Sequence, residues 1–429
     1  GEQAQACPPN LSGEQARVCS PNNKNMDLLI LNMSSWNNWQ KYVNAKSQKP
    51  LIFQQTGVVN RNYHILQQLL KRREFEKILS VDLLPLTRKR TVRVFYESII
   101  GKIRGENVTA EFYVSGLHSK VVKVKPNMYV YATARNLTQG KGSEAIWTEI
   151  SSILEFAKFK DIMLWSYNPM FTKPFEELKN ATKIFDAVDD WREHAFYKRF
   201  GKILNKNYKI IDEKASAIFT VSKELLKSFP KNKNKQWISN GIDIKHYLSS
   251  NPKNSRLKNK FLKIKKPIIG YLGIIESRVD FKLLKYVLDN VKNISLVMAG
   301  PVWKQAETKY LKGYKNAHYL GPISYKDLPY LFSQFDVGII PHKITKFTKS
   351  MNPLKMYEYL ACGIPVVTAP VSGTEQFKGL VQVADTQKQF ADEIKKALKN
   401  SSKKLEEKRK KSVKPYSWES RVDKMMSKI

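Results

Sequence analysis

Two polar side chains, Lys355 and Glu358, interrupt an otherwise apolar segment in the second half of the chain. They are three residues apart, so they share one face of a helix near its first turn. A helix N-terminus has free N–H groups and a partial positive charge, and it therefore binds anions. The diphosphate of a nucleotide sugar would meet this terminus and Lys355, while Glu358 would accept hydrogen bonds from ribose hydroxyls. The alternative is a capped helix with a surface ion pair, and the segment alone favours neither interpretation.

The residues around this pair predict the elements that must position it. Asn352 is a good N-cap, and Pro353 suits the first helical position, where a missing N–H costs nothing. Gly363 is predicted to end the helix in the left-handed conformation. Residues 364–367 then form a short apolar run, as expected for a parallel strand that is buried on both faces.

Further candidates follow other predicted strands of the second half. Gly273, Gly300 and Gly321 each end such a strand, and a glycine lets the backbone approach a ligand closely. Arg278 and Lys282 flank the start of the next helix. Because the carboxyl ends of parallel strands meet at one crevice, these residues can act together. Two cations and a helix N-terminus would stabilise a leaving diphosphate without a metal. The alternative for either cation is a solvated surface charge.

The first half has its own candidates at a strand end, in the segment 183–191. Asp186, Asp189 and Asp190 lie where a strand turns toward a helix, next to Trp191. Ligands of parallel sheets bind outside such strand ends, which makes at least one of these carboxylates a candidate for a functional role. The alternative is that Asp190 caps the next helix and that the others are solvated.

Strands and helices alternate along both halves. This pattern predicts an α/β protein with two doubly wound, Rossmann-like domains facing a central crevice. A polar, lysine-rich stretch at 231–265 marks the boundary between them. The predicted division is a first domain at 26–240, a second at 241–411 and a terminal amphipathic helix at 412–429. Residues 90–130 alternate between polar and apolar, as in a β-hairpin excursion from the first sheet.

The remaining segments indicate the cellular location of the protein and not its chemistry. Residues 1–25 form a polar, proline-rich repeat that is interpreted as a disordered leader or an expression remnant. This stretch lacks the apolar core of a signal peptide, and no run approaches the roughly twenty apolar residues of a membrane span. Cys7, Cys19 and Cys362 suggest neither a disulfide framework nor a metal cluster. A reducing, cytoplasmic setting is therefore expected.

The formal net charge is +36, from 74 lysines and arginines against 38 acidic residues. Such an excess indicates an anionic partner, which is a nucleic acid, the anionic face of a membrane or a charged polymer. The alternative explanation of the charge is that the protein comes from an organism whose proteins are generally rich in lysine. No recognised nucleic-acid motif accompanies the charge and the lysines are dispersed, so a nucleic-acid partner is disfavoured.

Several enzyme classes are disfavoured because the sequence lacks their motifs. Neither half contains the Gly-x-Gly-x-x-Gly of a dinucleotide site or the Gly-Lys-Ser/Thr of a P-loop. The six histidines are scattered, with no His-x-x-x-His or Cys-x-x-Cys pattern, and no metal is predicted. The Gly-x-Ser-x-Gly of a hydrolase is also absent.

The segment 352–367 resembles the donor-site signature of the retaining GT-B glycosyltransferases of group-1 type. It is most similar to their bacterial subgroup linked to cell-surface polysaccharides such as teichuronic acid. Residues 240–243 resemble that family's Asn-Gly-Val-Asp turn between domains. Residues 270–280 resemble the first strand and loop of its second domain, and residues 185–191 resemble its Tyr-Asp-Cys-Val-Asp-Asp-Trp segment. The order of these motifs along 26–429 makes the set specific.

The resemblance implies a GT-B fold in which the second domain binds the nucleotide sugar and the first faces the acceptor. The last helix, from Ser417, resembles the helix that crosses back to the first domain. Glu358 would bind ribose, and Arg278 and Lys355 would hold the diphosphate, with Lys282 as a further cation. The implied donor-side set is Gly273, Arg278, Lys282, Gly300, Gly321, Ser350, Asn352, Lys355 and Glu358.

Two departures from the family pattern concern the sugar and the acceptor. Family members often have a second glutamate, eight positions before Glu358, that touches the donor sugar, and this chain has Ser350 there. The first domain also lacks the usual Gly-Gly acceptor loop. Arg61 and His64 occupy a segment that resembles the family's Gln-Arg-Pro-x-His, and they are acceptor-side candidates.

The resemblance implies a hexosyltransferase-type enzyme that needs neither cofactor nor metal. It would move a sugar from a nucleoside diphosphate to a lipid-linked or polyanionic glycan acceptor in cell-surface polysaccharide synthesis. Asp189 and Asp190 would position the acceptor, and no nucleophile is assigned. The basic first domain would lie on the anionic inner face of the plasma membrane. Two other hypotheses remain, a basic nucleic-acid-binding protein without transfer activity and a GT-B nucleotide-sugar epimerase.

Overall fold

The computed structural model describes most of the chain. Residues 1–24 of the expected leader and 90–118 of the expected hairpin excursion lie outside the described residues. The described ranges are 25–33, 59–83, 119–133, 135, 137, 141–194, 196–248, 255–400 and 402–429.

A mostly parallel sheet forms the first domain. Its strands are β1 (Met26–Asn32), β2 (Phe75–Asp82), β3 (Ser119–Lys125), β4 (Met128–Thr133), β5 (Met163–Ser166), β6 (Thr182–Ala187), β7 (Ala217–Thr220) and β8 (Lys235–Trp237). The described strands lie in the order β3-β4-β2-β1-β5-β6-β7-β8, and only the β3–β4 pair among them is antiparallel. The helices are α1 (Arg61–Leu69), α2 (Gly142–Phe156), α3 (Lys173–Glu177), α4 (Gly201–Lys214) and α5 (Lys223–Leu226). Helices α2 and α4 pack on one face, and α1 packs on the other.

The second domain repeats this plan with a wholly parallel sheet. Its strands are β9 (Ile268–Leu272), β10 (Ser295–Ala299), β11 (Ala317–Gly321), β12 (Val337–Ile340), β13 (Val366–Thr368) and β14 (Val381–Val383). They lie in the order β11-β10-β9-β12-β13-β14. The helices are α6 (Ile244–Leu248), α7 (Ser255–Phe261), α8 (Phe281–Asn290), α9 (Leu328–Ser333), α10 (Lys346–Ser350), α11 (Leu354–Ala361), α12 (Gln387–Lys399) and α13 (Lys403–Ser412). Helices α8 and α12 cover one face, while α9 and α11 cover the other.

Continuous apolar runs mark the central strands because helices cover both faces of each sheet. In β1, Leu29 and Leu31 belong to one apolar core, while Leu28 and Ile30 belong to the core on the opposite face. All four side chains are fully buried. This is the pattern that parallel sheets require, and it is why the strands of both domains are readable from the sequence.

The last helix, α14 (Trp418–Met426), returns from the second domain to the first. Its buried residues Trp418, Val422 and Met425 lie in the same apolar core as Leu66 of α1. The Trp418 ring stacks on His64 with the ring centroids 4.9 Å apart. Together with the two sheets, this helix gives the architecture that the resemblance predicts. No described helix combines the length and the apolar content that a bilayer crossing requires.

Candidate functional site

Side chains from both domains meet at the carboxyl ends of the two sheets. Asp189 follows β6 in the first domain, and the charges of Glu276 and Arg278, which follow β9 in the second domain, act on its carboxyl group. The rings of His194 and Phe347 also meet across the domains, edge to face with centroids 5.2 Å apart. This crevice is where doubly wound sheets bind their ligands.

Helix α11 begins one residue later than the sequence predicts. Pro353 is its N-cap, so the prediction that Asn352 caps the helix and that Pro353 is its first residue is wrong. The Asn352 Oδ1 accepts a hydrogen bond from the backbone N–H of Asn240 at 2.7 Å, and the Asn240 side chain donates back to the Asn352 carbonyl at 2.6 Å. The Asn352 Nδ2 donates to the carbonyl of Ser372 at 3.0 Å. Asn352 therefore holds the start of α11 against the linker between the domains.

Lys355 lies on the first turn of α11 and reaches over the end of β9. Its Nζ lies 4.3 Å from the ring centroid of Tyr271. A Cβ at position 273 would lie 2.9 Å from that Nζ, so Gly273, with a φ of +143°, leaves the room that the ammonium occupies. Burial, and secondly the charge of Arg278, lower the pKa of Lys355 to about 7, while Glu358 acts in the opposite direction.

Glu358 lies one turn deeper on the same helix. The hydroxyl of Tyr247 donates a hydrogen bond to its Oε1 at 2.8 Å. Burial raises the pKa of Glu358 to about 7, although the Tyr247 hydrogen bond and the charge of Lys355 lower it. Lys355 and Glu358 are both partly enclosed and contact different tyrosines, Tyr271 and Tyr247. A solvated surface ion pair therefore does not describe them.

Arg278 completes the charged group around the end of β9. Its guanidinium pairs with the buried carboxylate of Glu276, and its Nη1 lies 3.8 Å from the Sδ of Met351. The carbonyl of Arg278 accepts a hydrogen bond from the backbone N–H of Lys343 at 2.8 Å, which ties this loop to the end of β12. Because its charge also acts on Lys355, Arg278 belongs to the same site.

Two other donor-side candidates make contacts elsewhere. Lys282 is exposed, and its Nζ lies over the ring of Tyr310, 5.9 Å from the centroid. Ser350 is buried, and its hydroxyl donates to the carbonyl of Phe347 at 2.8 Å within α10. The structure thus brings Arg278 to Lys355, whereas Lys282 lies against Tyr310 and Ser350 is engaged in its own helix.

Three strand-end glycines form the floor of this region. The N–H of Gly273 donates to the carbonyl of Ala299, and that of Gly300 donates to the carbonyl of Gly321, each at 2.9 Å. A Cβ on Gly300 would lie 1.9 Å from the Gly273 carbonyl oxygen. Only a residue without a side chain lets β9 and β10 end this close together, and the resulting floor lies beside the Lys355 ammonium.

The two neighbouring aspartates of the first domain have separate roles. Asp190 forms a bidentate pair with Arg192, with an Nε–Oδ1 distance of 2.8 Å and an Nη2–Oδ2 distance of 2.7 Å. Asp189 makes no side-chain hydrogen bond within the described part of the chain. Burial raises the pKa of Asp189 to about 7; the charge of Glu276 also raises it, while that of Arg278 lowers it. Asp189 is therefore the aspartate available to a ligand in the crevice.

The acceptor-side candidates lie where the first domain meets the linker and the last helix. The Nε of Arg61 lies 2.9 Å from the Asp186 carboxylate, and its Nη1 donates to the Ser239 carbonyl at 3.1 Å. His64 is buried against Trp418, and burial lowers the pKa of His64 to about 3. Both side chains thus hold the joint between the domains together.

Two further residues belong to the site, Glu276 and His342, and neither is among those predicted from the sequence. Glu276 pairs with Arg278 and acts on the carboxyl group of Asp189. His342 is 2% exposed, and neither of its ring nitrogens has a hydrogen-bond partner among the described residues. Burial, with the charges of Lys355 and Arg278, holds the pKa of His342 well below its usual value. Both residues closely follow predicted strands. Because ligands bind at the carboxyl ends of parallel strands, this position could have identified them as candidates.

The second domain matches a family model. Residues 266–400, which contain Arg278, Lys355 and Glu358, match the model described as Glycosyl transferases group 1. TuaH of Bacillus subtilis, named as a teichuronic acid biosynthesis glycosyltransferase, is 27% identical over 113 residues. That match spans 26% of this chain and only 28% of the relative's length.

Solved structures match nearly the whole chain. The sucrose-phosphate synthase of Thermosynechococcus elongatus has a TM-score of 0.67 over 94% of this chain and 98% of its own, at 13% identity. The Anabaena protein Alr3699/HepE, in complex with UDP and glucose, has a TM-score of 0.60 over 94% of this chain and 100% of its own, at 13% identity.

The fold is GT-B. A glycosyltransferase from Rickettsia africae has the same fold, with a TM-score of 0.60 over 94% of this chain and 97% of its own, at 12% identity. In a GT-B protein the two sheets face each other across one crevice. The group of Arg278, Lys355 and Glu358 lies on the second-domain side of that crevice, and Asp189 lies on the first-domain side.

Proposed function

We propose that this protein is a glycosyltransferase that moves a sugar from a nucleoside diphosphate to an acceptor hydroxyl in the crevice. One observation carries the proposal: Lys355 and Glu358 lie partly enclosed on the first turns of α11, with Lys355 beside Gly273 and Asp189 on the other side of the crevice. The group 1 family match of residues 266–400 supports it. The UDP and glucose in the structure of the Anabaena neighbour support it as well.

The donor diphosphate would lie at the N-terminus of α11. Its charge would meet the free N–H groups of the helix, Lys355 and Arg278, and these groups would stabilise the leaving diphosphate. The pKa of Lys355, about 7 without a ligand, would rise on binding because a nearby negative charge favours the ammonium form. Glu358, held by Tyr247, would accept hydrogen bonds from the ribose hydroxyls. No metal ion has a role in this scheme.

The acceptor hydroxyl would face Asp189. A carboxyl group with a pKa of about 7 is half deprotonated at neutral pH, which suits a group that accepts a proton during transfer. We assign no protein nucleophile. Departure of the diphosphate and attack of the acceptor on one face of the sugar would retain the anomeric configuration.

The acceptor is proposed to be a lipid-linked or polyanionic glycan of the bacterial cell surface. The similarity to TuaH supports this class of acceptor. The net charge of +36 suits a polyanionic acceptor and an anionic membrane surface alike. The protein would then work at the inner face of the plasma membrane.

The test is nucleotide release from a panel of UDP-sugars and GDP-sugars, measured by chromatography with and without EDTA. We expect slow release of UDP or GDP from at least one donor, faster release when a glycan acceptor is added, and no effect of EDTA. A panel from which no donor binds or reacts would refute the transferase function. Loss of activity with EDTA would refute only the metal-free scheme.

A further inference from the structure

A basic surface with exposed apolar side chains lies on the first domain at residues 196–209. We call it the rim surface. Phe196 is 52% exposed and Ile203 is 45% exposed. No acidic residue occurs between Phe196 and Lys209. The exposed apolar and cationic residues of the rim surface are Phe196, Lys198, Arg199, Lys202, Ile203, Lys206 and Lys209.

The rim surface begins at the edge of the crevice and is held in place by ring contacts. The Phe196 ring meets the Tyr197 ring edge to face, with centroids 5.1 Å apart. The guanidinium of Arg199 lies 5.2 Å from the Phe196 ring centroid. Two residues before Phe196, His194 contacts Phe347 of the second domain. Phe196 is therefore directed outward beside the opening through which an acceptor would enter.

We propose that the rim surface docks on an anionic phospholipid bilayer. The five cations would meet lipid headgroups, and Phe196 and Ile203 would enter the boundary between headgroups and acyl chains. A soluble polyanion would use the cations alone and would gain nothing from two exposed apolar side chains. The docking proposal rests on the proposed function, because a lipid-linked acceptor would be presented to the crevice by the same contact.

The second domain offers matched controls for both kinds of side chain. Leu262, after α7, is 74% exposed and is the apolar control. Lys312 and Lys315 are exposed in the loop before β11, at the end of the sheet away from the crevice, and they are the charge control. A surface that binds through net charge alone would respond equally to both pairs of lysines.

The experiment measures partition of the full chain onto phosphatidylglycerol vesicles and onto phosphatidylcholine vesicles. We expect Lys202→Gln with Lys206→Gln to lower partition onto phosphatidylglycerol about thirtyfold, at about 1 kcal/mol per cation near the surface. Lys312→Gln with Lys315→Gln should lower it no more than severalfold. One molar salt should weaken binding of the wild-type chain.

The apolar pair separates a bilayer from a polyanion. Phe196→Ala with Ile203→Ala should lower partition onto phosphatidylglycerol at least tenfold, since part of each side chain no longer leaves water, whereas Leu262→Ala should not change it. Equal losses from the two lysine pairs would overturn the proposal. Wild-type partition by the Phe196 and Ile203 variant would overturn it too, and in that case binding to soluble polyphosphate would identify a polyanion site.

Thermal unfolding shows whether each variant is folded, and donor hydrolysis without vesicles tests the two proposals separately. The rim-surface variants should release nucleotide at the wild-type rate, because none of the changed residues belongs to the site. Failure of docking would leave that rate intact. Failure of the proposed function would abolish it in the wild-type chain as well, whatever the vesicles show.

Discussion

Asp189 and Asp190 are neighbours in the chain, but their carboxyl groups have different surroundings. Asp190 is held by the guanidinium of Arg192. Asp189 is enclosed beside Glu276, and burial together with that second carboxylate outweighs the charge of Arg278 and raises the pKa of Asp189 to about 7. A base with a pKa near the working pH combines a useful deprotonated fraction with a useful affinity for the proton. Asp189 is therefore better suited than Asp190 to act on an acceptor hydroxyl.

Replacing Asp189 should affect transfer, and replacing Asp190 should affect the fold. We expect Asp189→Asn to lower kcat about 100-fold or more, the usual contribution of a general base. Because only the deprotonated form can accept a proton, the wild-type kcat should fall toward acid pH. This fall in kcat toward acid pH should be absent in Asp189→Asn. Asp190→Asn should still lose kcat toward acid pH, and it should unfold at a lower temperature. If Asp189→Asn also still loses kcat toward acid pH, another group is the base.

Gly273 tests whether the space beside Lys355 is needed for donor binding. A Cβ there would lie 2.9 Å from the Lys355 Nζ, so Gly273→Ala should displace the ammonium and raise the Kd for UDP or GDP at least tenfold. Gly313→Ala is the control, since Gly313 also has a positive φ, +92°, but has no atom within 4 Å of the added Cβ. Calorimetric titration with the nucleotide measures both. Equal effects would mean that backbone strain, and not the displaced ammonium, weakens binding.

Helix α11 shows what the local sequence can predict about an element. Its apolar face, the position of Lys355 and Glu358, and its end at Gly363 were readable, and Gly363 has the predicted left-handed conformation, with a φ of +76°. Its start was not readable, because Asn352 is bonded to Asn240, 112 positions away. A capping pattern covers only a few residues and contains no information about such a distant partner. The contact of Lys282 with Tyr310 could not be predicted either, because it depends on how the loops pack.

The tie between α11 and the linker should contribute strongly to stability. Asn352→Ala removes the side-chain hydrogen bonds with the Asn240 N–H, the Ser372 carbonyl and the Tyr357 hydroxyl. It leaves the buried N–H of Asn240 unpaired, so we expect a loss of about 2–4 kcal/mol in the free energy of unfolding. Ser350→Ala removes one hydrogen bond inside α10 and should cost about 1 kcal/mol. Urea unfolding followed by circular dichroism measures both variants. If they cost the same, the linker does not anchor the helix.

The joint between the domains could be predicted only in outline. The alternation of strands and helices predicts two sheets, and the resemblance predicts a last helix that crosses back, but neither indicates which side chains fill the joint. The buried guanidinium of Arg61 donates a hydrogen bond to the carbonyl of Ser239 in the linker, 178 positions further along the chain. His64 lies against Trp418, near the other end of the chain. Such contacts depend on the packing of the whole molecule, so the sequence alone could not place Arg61 and His64 between the domains.

Trp418 should therefore hold the last helix to the first domain. It is 2% exposed and lies in the core beneath α1, so we expect Trp418→Ala to cost about 3–5 kcal/mol in the free energy of unfolding. Lys424→Ala changes an exposed residue of the same helix and should cost within about 0.5 kcal/mol. Because α14 continues from α13 of the second domain, its release should also uncouple the domains. Urea unfolding of Trp418→Ala should then show two transitions, one for each domain. A single transition at the same urea concentration as in Lys424→Ala would mean that α14 does not couple the domains.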